Sequence, residues 1–143
     1  MEYLRKGISK VKDTMTQVDL ATKLAEATSN ETGLASISLL NELSSRTDNS
    51  EECKIIVKHC AKVLTLKPKL WKRIHRDLAL IEHIIKTGSQ GFLDQMKDER
   101  DKLKDLYEFT YEEDGKDRGE TSKNKYFFII IFLSIIFYLY SKK

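Results

Sequence analysis

The stretch Lys69–Ser89, KLWKRIHRDLALIEHIIKTGS, decides the fold, because it is the longest segment with the pattern of a single helix. Its apolar residues recur at three- and four-residue spacing and so share one helical face: Leu70, Ile74, Leu78, Ile81 and Ile85. Pro68 stands where a first helical turn tolerates proline, and Gly88 stands where a C-cap glycine is expected. Residues 67–76 hold five cations and no acid. We therefore predict a central core helix that presents a cationic end to an anion.

Composition narrows the class of protein. The chain has 143 residues, 41% of them hydrophobic, which is typical of one compact domain. A single proline and the absence of strand-like alternation predict an all-α fold. The net charge of +3 is too small for bulk nucleic-acid binding, so we expect no nucleic acid as a partner. Cys53 and Cys60 lie about 10 Å apart along a predicted helix, too far for a disulfide, and are expected to be buried thiols of a reducing compartment.

Shorter helical segments flank the central one on both sides. Apolar residues at helical spacing predict them over residues 1–15, 17–28, 36–46, 51–65 and 90–107. Ser29 and Asn30 form a turn signal, and Asn49 belongs to a capping sequence. The residues of 90–107 that we expect to face inward are Phe92, Leu93, Met96, Leu103 and Leu106.

The segment 1–16 is amphipathic. The residues that align on its apolar side are Leu4, Ile8, Val11 and Met15. Cations occupy much of the remaining surface: Arg5, Lys6, Lys10 and Lys12. Gly7 weakens a helix here by about 1 kcal/mol. Two interpretations stay open, a first helix packed on the core or a segment that is disordered in water and folds by inserting into a membrane surface.

The composition changes abruptly over residues 122–143. Tyr126–Tyr140 has Ser134 as its single polar residue besides tyrosine. As a helix it would be about 22 Å long, against roughly 30 Å of bilayer hydrocarbon. Flanking lysines could snorkel, so one interpretation is a C-terminal transmembrane anchor with the domain facing the cytosol. The other is an artefact of the gene model, because these residue types are what AT-rich non-coding DNA would encode.

The sequence contains no catalytic constellation. His75 and His83 lack a third ligand at metal spacing. His59 and Cys60 are adjacent, so their side chains diverge on a helix. We find no glycine-rich phosphate loop after a strand and no nucleophile elbow. We therefore expect no enzyme activity, no metal site and no cofactor.

Four short blocks of sequence resemble the ENTH domain of epsins. In the order and spacing of that family, they are Glu26–Asn30 (EATSN), Trp71–Arg73 (WKR), Ile85–Ser89 (IKTGS) and Asp114–Gly119 (DGKDRG). The resemblance implies a superhelical stack of about seven helices, with the helical domain over residues 17–121. It also implies phosphoinositide binding, in which the first amphipathic helix folds over the head group and enters the bilayer.

The resemblance further implies which residues contact the lipid head group. By position these are Arg5, Lys6, Lys10, Asn30, Lys69, Lys72, Arg73 and Arg76. A phosphorylated inositol concentrates negative charge within a few ångströms, so it needs Lys and Arg donors that converge from more than one helix. Ala25 and Val63 stand where the family has basic residues, and Glu31–Ala35 replaces its tryptophan-containing turn. These departures weaken the predicted pocket.

The sequence thus predicts a phosphoinositide-binding trafficking adaptor of epsin type. Its place would be the cytosolic face of the plasma membrane, an endosome or the Golgi, in clathrin-associated vesicle formation and endocytosis. Clathrin, adaptor proteins and SNAREs are the protein partners that the resemblance implies. The alternative is a tail-anchored helical scaffold whose basic face binds a protein partner such as a SNARE.

Overall fold

A computed structural model describes residues 2–99, 101–102, 112–113 and 116–117, with side chains over 14–99 and 101–102. Its α-helices are α1 (Glu2–Ala27), α2 (Ile37–Arg46), α3 (Ser50–Val63), α4 (Trp71–Thr87) and α5 (Gln90–Lys97). A short 3-10 helix, Pro68–Leu70, precedes α4. Two strands of two residues each, β1 (Glu112–Glu113) and β2 (Lys116–Asp117), pair antiparallel. The all-helical class is confirmed apart from this strand pair.

The central helix of the prediction is the central helix of the fold. Within Lys69–Ser89, α4 contacts α1, α2, α3 and α5, and the middle of its apolar face is fully buried, while Leu70 and Ile85 at its ends are half-buried. Ile74, Leu78 and Ile81 lie in the same core as Leu24 of α1 and Phe92 of α5. The α-helix begins at Trp71 rather than at Lys69, because Pro68 starts a 3-10 turn instead. Phe92, as predicted, is buried.

The first helix differs from the prediction. Residues 1–15 and 17–28 were expected to form two helices, but Glu2–Ala27 is one continuous α-helix. The physical reason is that residues 14–17, Thr-Met-Thr-Gln, contain neither glycine nor proline, so nothing interrupts the backbone hydrogen bonds between the two segments. The core-facing residues of its second half, Leu20, Leu24 and Ala27, are buried.

The IKTGS block holds α2 against the junction of α4 and α5. Thr47, at the end of α2, accepts a hydrogen bond from the Ser89 N–H at 3.0 Å, and its carbonyl accepts one from Ser89 Oγ at 2.8 Å. Gly88 is the C-cap of α4, but its φ of −94° is open to any residue. Close approach requires glycine there, since a Cβ would lie 2.6 Å from Ile84 Cγ2 and 2.9 Å from Thr47 Oγ1.

Several predictions fall outside the described residues. The helix expected over 90–107 is α5 up to Lys97, with 101–102 helical again, and Leu103 and Leu106 lie beyond. Five α-helices are described instead of about seven, because two predicted segments form the single helix α1 and residues 103–111 and 118–143 lie outside the described part of the chain. No helix over the described residues is long and apolar enough to cross a bilayer, and the predicted anchor over 122–143 lies outside them.

Candidate lipid head-group site

The carboxyl end of α1 meets the amino-terminal half of α4 through two arginines. The last carbonyls of any α-helix lack partners within the helix, and they carry the negative end of its dipole. Here the carbonyls of Glu26, Ala27 and Thr28 accept hydrogen bonds from Arg76 and Arg73. The end of α1 is therefore capped by cations from another element.

The Arg76 side chain is buried and forms three hydrogen bonds to backbone carbonyls. Its side chain donates from Nε to Ala27 at 3.2 Å, from Nη1 to the Gly33 carbonyl at 3.0 Å and from Nη2 to Glu26 at 3.1 Å. The residue is only 5% exposed. The sequence assigned Arg76 to the head group, whereas its burial and its three backbone partners favour a structural role. A basic position in a sequence pattern carries no information on burial, which explains the difference.

Arg73 forms fewer hydrogen bonds within the fold than Arg76 and is more exposed. Its Nε donates to the Thr28 carbonyl at 2.9 Å, and its two terminal amino groups bind no residue in the described part of the chain. The side chain is half-buried, so it keeps a face toward solvent. The terminal N–H groups of a guanidinium lie in one plane and can donate together to the oxygens of a phosphate. Arg73 is thus held in place by one bond and has donors left for a ligand.

His59 of α3 extends the polar junction to a third element. Thr28 Oγ1 lies 2.8 Å from both the Leu24 carbonyl and His59 Nε2. The single Thr28 hydrogen goes to the carbonyl, so the hydroxyl accepts from His59 Nε2–H. Burial, followed by the positive charges of Arg73 and Lys62, lowers the pKa of His59 below its ordinary value of 6.5. The imidazole is therefore neutral at pH 7.

Lys62, whose positive charge contributes to lowering the pKa of His59, is a cation that the sequence analysis missed. Lys62 is exposed on the last turn of α3. Its neighbour Val63, which stands at a basic position of the family, is 2% exposed and faces the core. A signal was available in the sequence, because Lys62 lies three residues after His59 and so shares its helical face.

Asp77 lies beneath this junction. The residue is fully buried, and neither carboxyl oxygen has a hydrogen-bond partner among the described residues. Burial raises the pKa of Asp77 well above its ordinary value, although the Cys60 thiol and the Arg73 charge act in the opposite direction. Burial and the neighbouring Asp77 also raise the pKa of the Cys60 thiol. The thiols of Cys53 and Cys60 are free and buried, as the sequence predicted.

The remaining described residues of the predicted set lie around the same end of the stack. Asn30 is exposed in the loop after α1. Lys69 is exposed in the 3-10 helix, and Lys72 follows on α4 with its Nζ 5.9 Å from the centre of the Trp71 ring. Neither lysine forms an ion pair with a described residue. Asn30 follows the end of α1 by three residues, and Lys69 and Lys72 lie within four residues of Arg73, so the α1–α2 loop and the start of α4 supply a polar amide and cations to this end of the stack.

The basic residues of the N-terminal segment have their backbone in the continuous helix α1, and their side chains lie outside the described part of the chain. With a rise of about 1.5 Å per residue, Lys10 lies about 26 Å and Arg5 about 33 Å from the end of the helix at Ala27. Of the predicted inserting residues, Met15 is 67% exposed. Over the described residues, no group of three His, Cys, Asp or Glu side chains could hold a metal ion.

Comparisons with known proteins agree on one family. The family model of the ENTH domain matches residues 17–134. Epsin-1 of Homo sapiens is 34% identical over 104 residues, which are 72% of this chain and 18% of Epsin-1. This chain therefore spans about a fifth of that relative's length. The match begins at the residue where the predicted helical domain begins and extends past its predicted end at 121.

Solved structures show the same fold. The ENTH domain from epsin-2 in complex with phosphatidylinositol 4,5-bisphosphate superposes with a TM-score of 0.77 at 24% identity, covering 80% of this chain and 82% of that one. Helical ANTH and ENTH tubules on membranes containing the same lipid give a TM-score of 0.67 at 26% identity, covering 90% and 86%. With the sequence matches, they settle the classification: the chain belongs to the ENTH domain family.

Proposed function

We propose that this chain is a phosphoinositide-binding trafficking adaptor of epsin type. The observation that carries the proposal is the polar junction at the end of α1, where Arg73 of α4 donates to the Thr28 carbonyl and His59 of α3 contacts Thr28, two residues before the exposed Asn30. Lys69 and Lys72 add charge around this junction. Fixed cations from several elements suit a compact, multiply charged head group better than a single cationic helix does. An ENTH relative solved with such a lipid supports the same ligand class.

Within this proposal the contact set changes in two respects. Lys62 joins Asn30, Lys69, Lys72 and Arg73, because it is exposed on α3 one turn after His59, whose side chain contacts Thr28 in the same junction. Arg76 leaves the set and keeps the loop and α1 in place. Arg5, Lys6 and Lys10 remain predicted contacts, and Leu4, Ile8, Val11 and Met15 remain the predicted inserting face.

The N-terminal contacts require a conformational change in α1. A straight helix keeps Lys10 about 26 Å from the end of α1, so lipid binding must bend or break the helix, and residues 14–17 are where the two predicted segments meet. Spin labels on Ser9→Cys and Lys58→Cys would report the change, since both native cysteines are buried. We expect their separation to change by 10 Å or more, roughly, when vesicles containing phosphatidylinositol bisphosphate are added.

Vesicle pelleting tests the function itself. We expect binding to phosphatidylcholine vesicles only when they contain phosphatidylinositol bisphosphate, and weaker binding by Lys69→Glu and Arg73→Glu. Lys54→Glu is the matched control, because Lys54 is exposed on α3, where it pairs with Glu51. Equal binding to lipid with and without the phosphoinositide, or equal losses in all three variants, would refute the head-group site.

The same variants separate the alternative function. A scaffold whose basic face binds a protein such as a SNARE would bind its partner in the absence of lipid, and Arg73→Glu would weaken that binding without affecting vesicles. Clathrin-associated vesicle formation and endocytosis are the processes that we propose for the adaptor, at the cytosolic face of the plasma membrane, endosome or Golgi. The membrane attachment proposed here is through the lipid head group and the first helix.

A further inference from the structure

Four large apolar side chains are exposed where the structure describes side chains, and they fall into two pairs: Met15 and Val18, Leu34 and Ile37. The first pair lies on α1, where Met15 already belongs to the predicted inserting face. The second pair, 51% and 65% exposed, lies in and just after the α1–α2 loop. Single exposed apolar residues are ordinary on a protein surface. Two exposed apolar residues within four positions, next to a candidate lipid site, indicate a surface that binds a partner.

The fold holds the second pair outward. Gly33, with a φ of 87°, turns the chain just before Leu34, and its carbonyl is bound by Arg76 at 3.0 Å. On the other side, Ala35 packs against the core and Ser36 caps α2 by accepting from the Leu39 N–H at 3.2 Å. Leu34 therefore lies between anchored neighbours, and its exposure is imposed by the backbone.

The surroundings of the pair favour a bilayer as the occupant. Residues 32–41, TGLASISLLN, contain no charged residue, although 33% of the chain is charged. Uncharged polar and aliphatic side chains can enter the boundary between head groups and acyl chains without burying a charge. The loop, residues 28–36, contains Asn30, and Arg76, one turn after Lys72 and Arg73, binds its Gly33 carbonyl. Cations beside exposed aliphatic residues are the pattern of a surface for anionic lipid.

We propose that Leu34 and Ile37 form a second membrane anchor, which enters the leaflet whose phosphoinositide head group is held near Asn30 and Arg73. The inference rests on the proposed function, because the bound head group is what brings the leaflet to this loop. The second anchor differs from the N-terminal segment in that the fold already places it beside the candidate head-group site. It needs no rearrangement of the backbone, so it loses no backbone entropy when it inserts.

Two binding assays separate the second anchor from the head-group site. Soluble inositol trisphosphate measures the head-group site alone, and phosphatidylcholine vesicles with phosphatidylinositol bisphosphate measure both. The double variant Leu34→Ser, Ile37→Ser should weaken vesicle affinity by about tenfold to a hundredfold, since about half of each side chain is available for burial. Its affinity for inositol trisphosphate should be unchanged. The matched control Leu34→Met, Ile37→Val keeps the apolar surface and should bind vesicles like the unsubstituted chain.

Each failure has a different meaning. Unchanged vesicle affinity in the serine variant, with inositol trisphosphate still bound, would overturn the second anchor and assign the pair to a protein contact, while the proposed function would stand. Failure of the unsubstituted chain to bind inositol trisphosphate or vesicles would overturn the proposed function and the anchor together. A solvent-sensitive fluorophore on Leu34→Cys gives a direct check. Its emission should rise on vesicles, whereas the same label on exposed Ser50→Cys should not respond; no rise at Leu34 would also overturn the anchor.

Discussion

Replacing Arg76 by methionine should destabilise the fold far more than it weakens lipid binding. The Arg76 side chain is 5% exposed, and three of its N–H groups donate to the carbonyls of Ala27, Gly33 and Glu26. Methionine keeps the apolar stem but has no donor. Three backbone carbonyls, two at the end of α1 and one in the following loop, therefore lose their partner in a single substitution.

The size of the loss follows from those contacts. One hydrogen bond from a charged donor contributes about 1.5–3 kcal/mol, which sets an upper limit of about 9 kcal/mol for three. The three bonds share one side chain and are not additive, and carbonyls near the surface regain water. We expect the free energy of unfolding to fall by about 3 kcal/mol, equivalent to a decrease in Tm of about 12 °C.

Urea unfolding and vesicle pelleting, measured well below the lowered Tm, check the two halves of this prediction. Arg73→Met is the matched comparison, because Arg73 makes one backbone bond, to Thr28. It should cost about 1 kcal/mol of stability but reduce affinity for phosphoinositide vesicles about tenfold. Arg76→Met should reduce that affinity only about twofold. If Arg76→Met leaves the Tm unchanged and weakens vesicle binding as much as Arg73→Met, then Arg76 is a head-group contact and the reasoning is refuted.

Three further substitutions test other packed positions of the fold. Gly88→Ala should lower the free energy of unfolding by about 1–3 kcal/mol in urea titrations, because the added Cβ meets Ile84 and Thr47, and an unchanged midpoint would contradict the close packing. Burial raises the pKa of Asp77 in the fold, so above the ordinary value of 3.8 the folded chain holds a proton that the unfolded chain has lost. The stability that this group contributes is therefore lost as the pH rises through its pKa in the folded chain. Over that pH range, the free energy of unfolding of Asp77→Asn should rise relative to that of the unsubstituted chain. Parallel profiles of stability against pH would exclude the effect. Burial and neighbouring cations lower the pKa of His59, while a bound phosphate would favour its protonated form. Vesicle affinity should therefore rise as the pH falls toward the lowered pKa of His59, and His59→Gln should abolish the rise.

The helices around α4 could be predicted from the sequence because they depend on local pattern. Apolar spacing placed α2, α3 and α4 within a few residues of their observed bounds, and Phe92 on the inner face of α5. Gly88 was placed correctly at the end of α4, but for the wrong reason. The sequence suggested a conformational need at the cap, whereas the structure shows a close approach to Thr47, which lies 41 residues earlier in the chain.

The candidate site was harder to predict because its contacts are distant in sequence. The bond from Arg76 to Ala27 joins residues 49 positions apart, and the contact of His59 with Thr28 spans 31. A position-by-position resemblance treats Arg73 and Arg76 alike, since both are basic and lie on one helix. Only the fold shows that one is buried against carbonyls and the other retains free donors.

The end of α1 is an unfavourable place to bind a phosphate, and the two arginines together make it usable. A helix carboxyl end carries about half a negative charge, which repels an anion within its last turn. Arg76, buried against the carbonyls, covers most of that charge from inside the fold. Arg73 covers the Thr28 carbonyl and still faces outward with its terminal amino groups. Cancelling a helix-end charge is worth about 0.3–1 kcal/mol at an exposed site, which is why removing Arg76 should still reduce lipid affinity slightly. We therefore expect its effect on binding to be electrostatic and small, and we expect Arg73 to make the contact with the lipid.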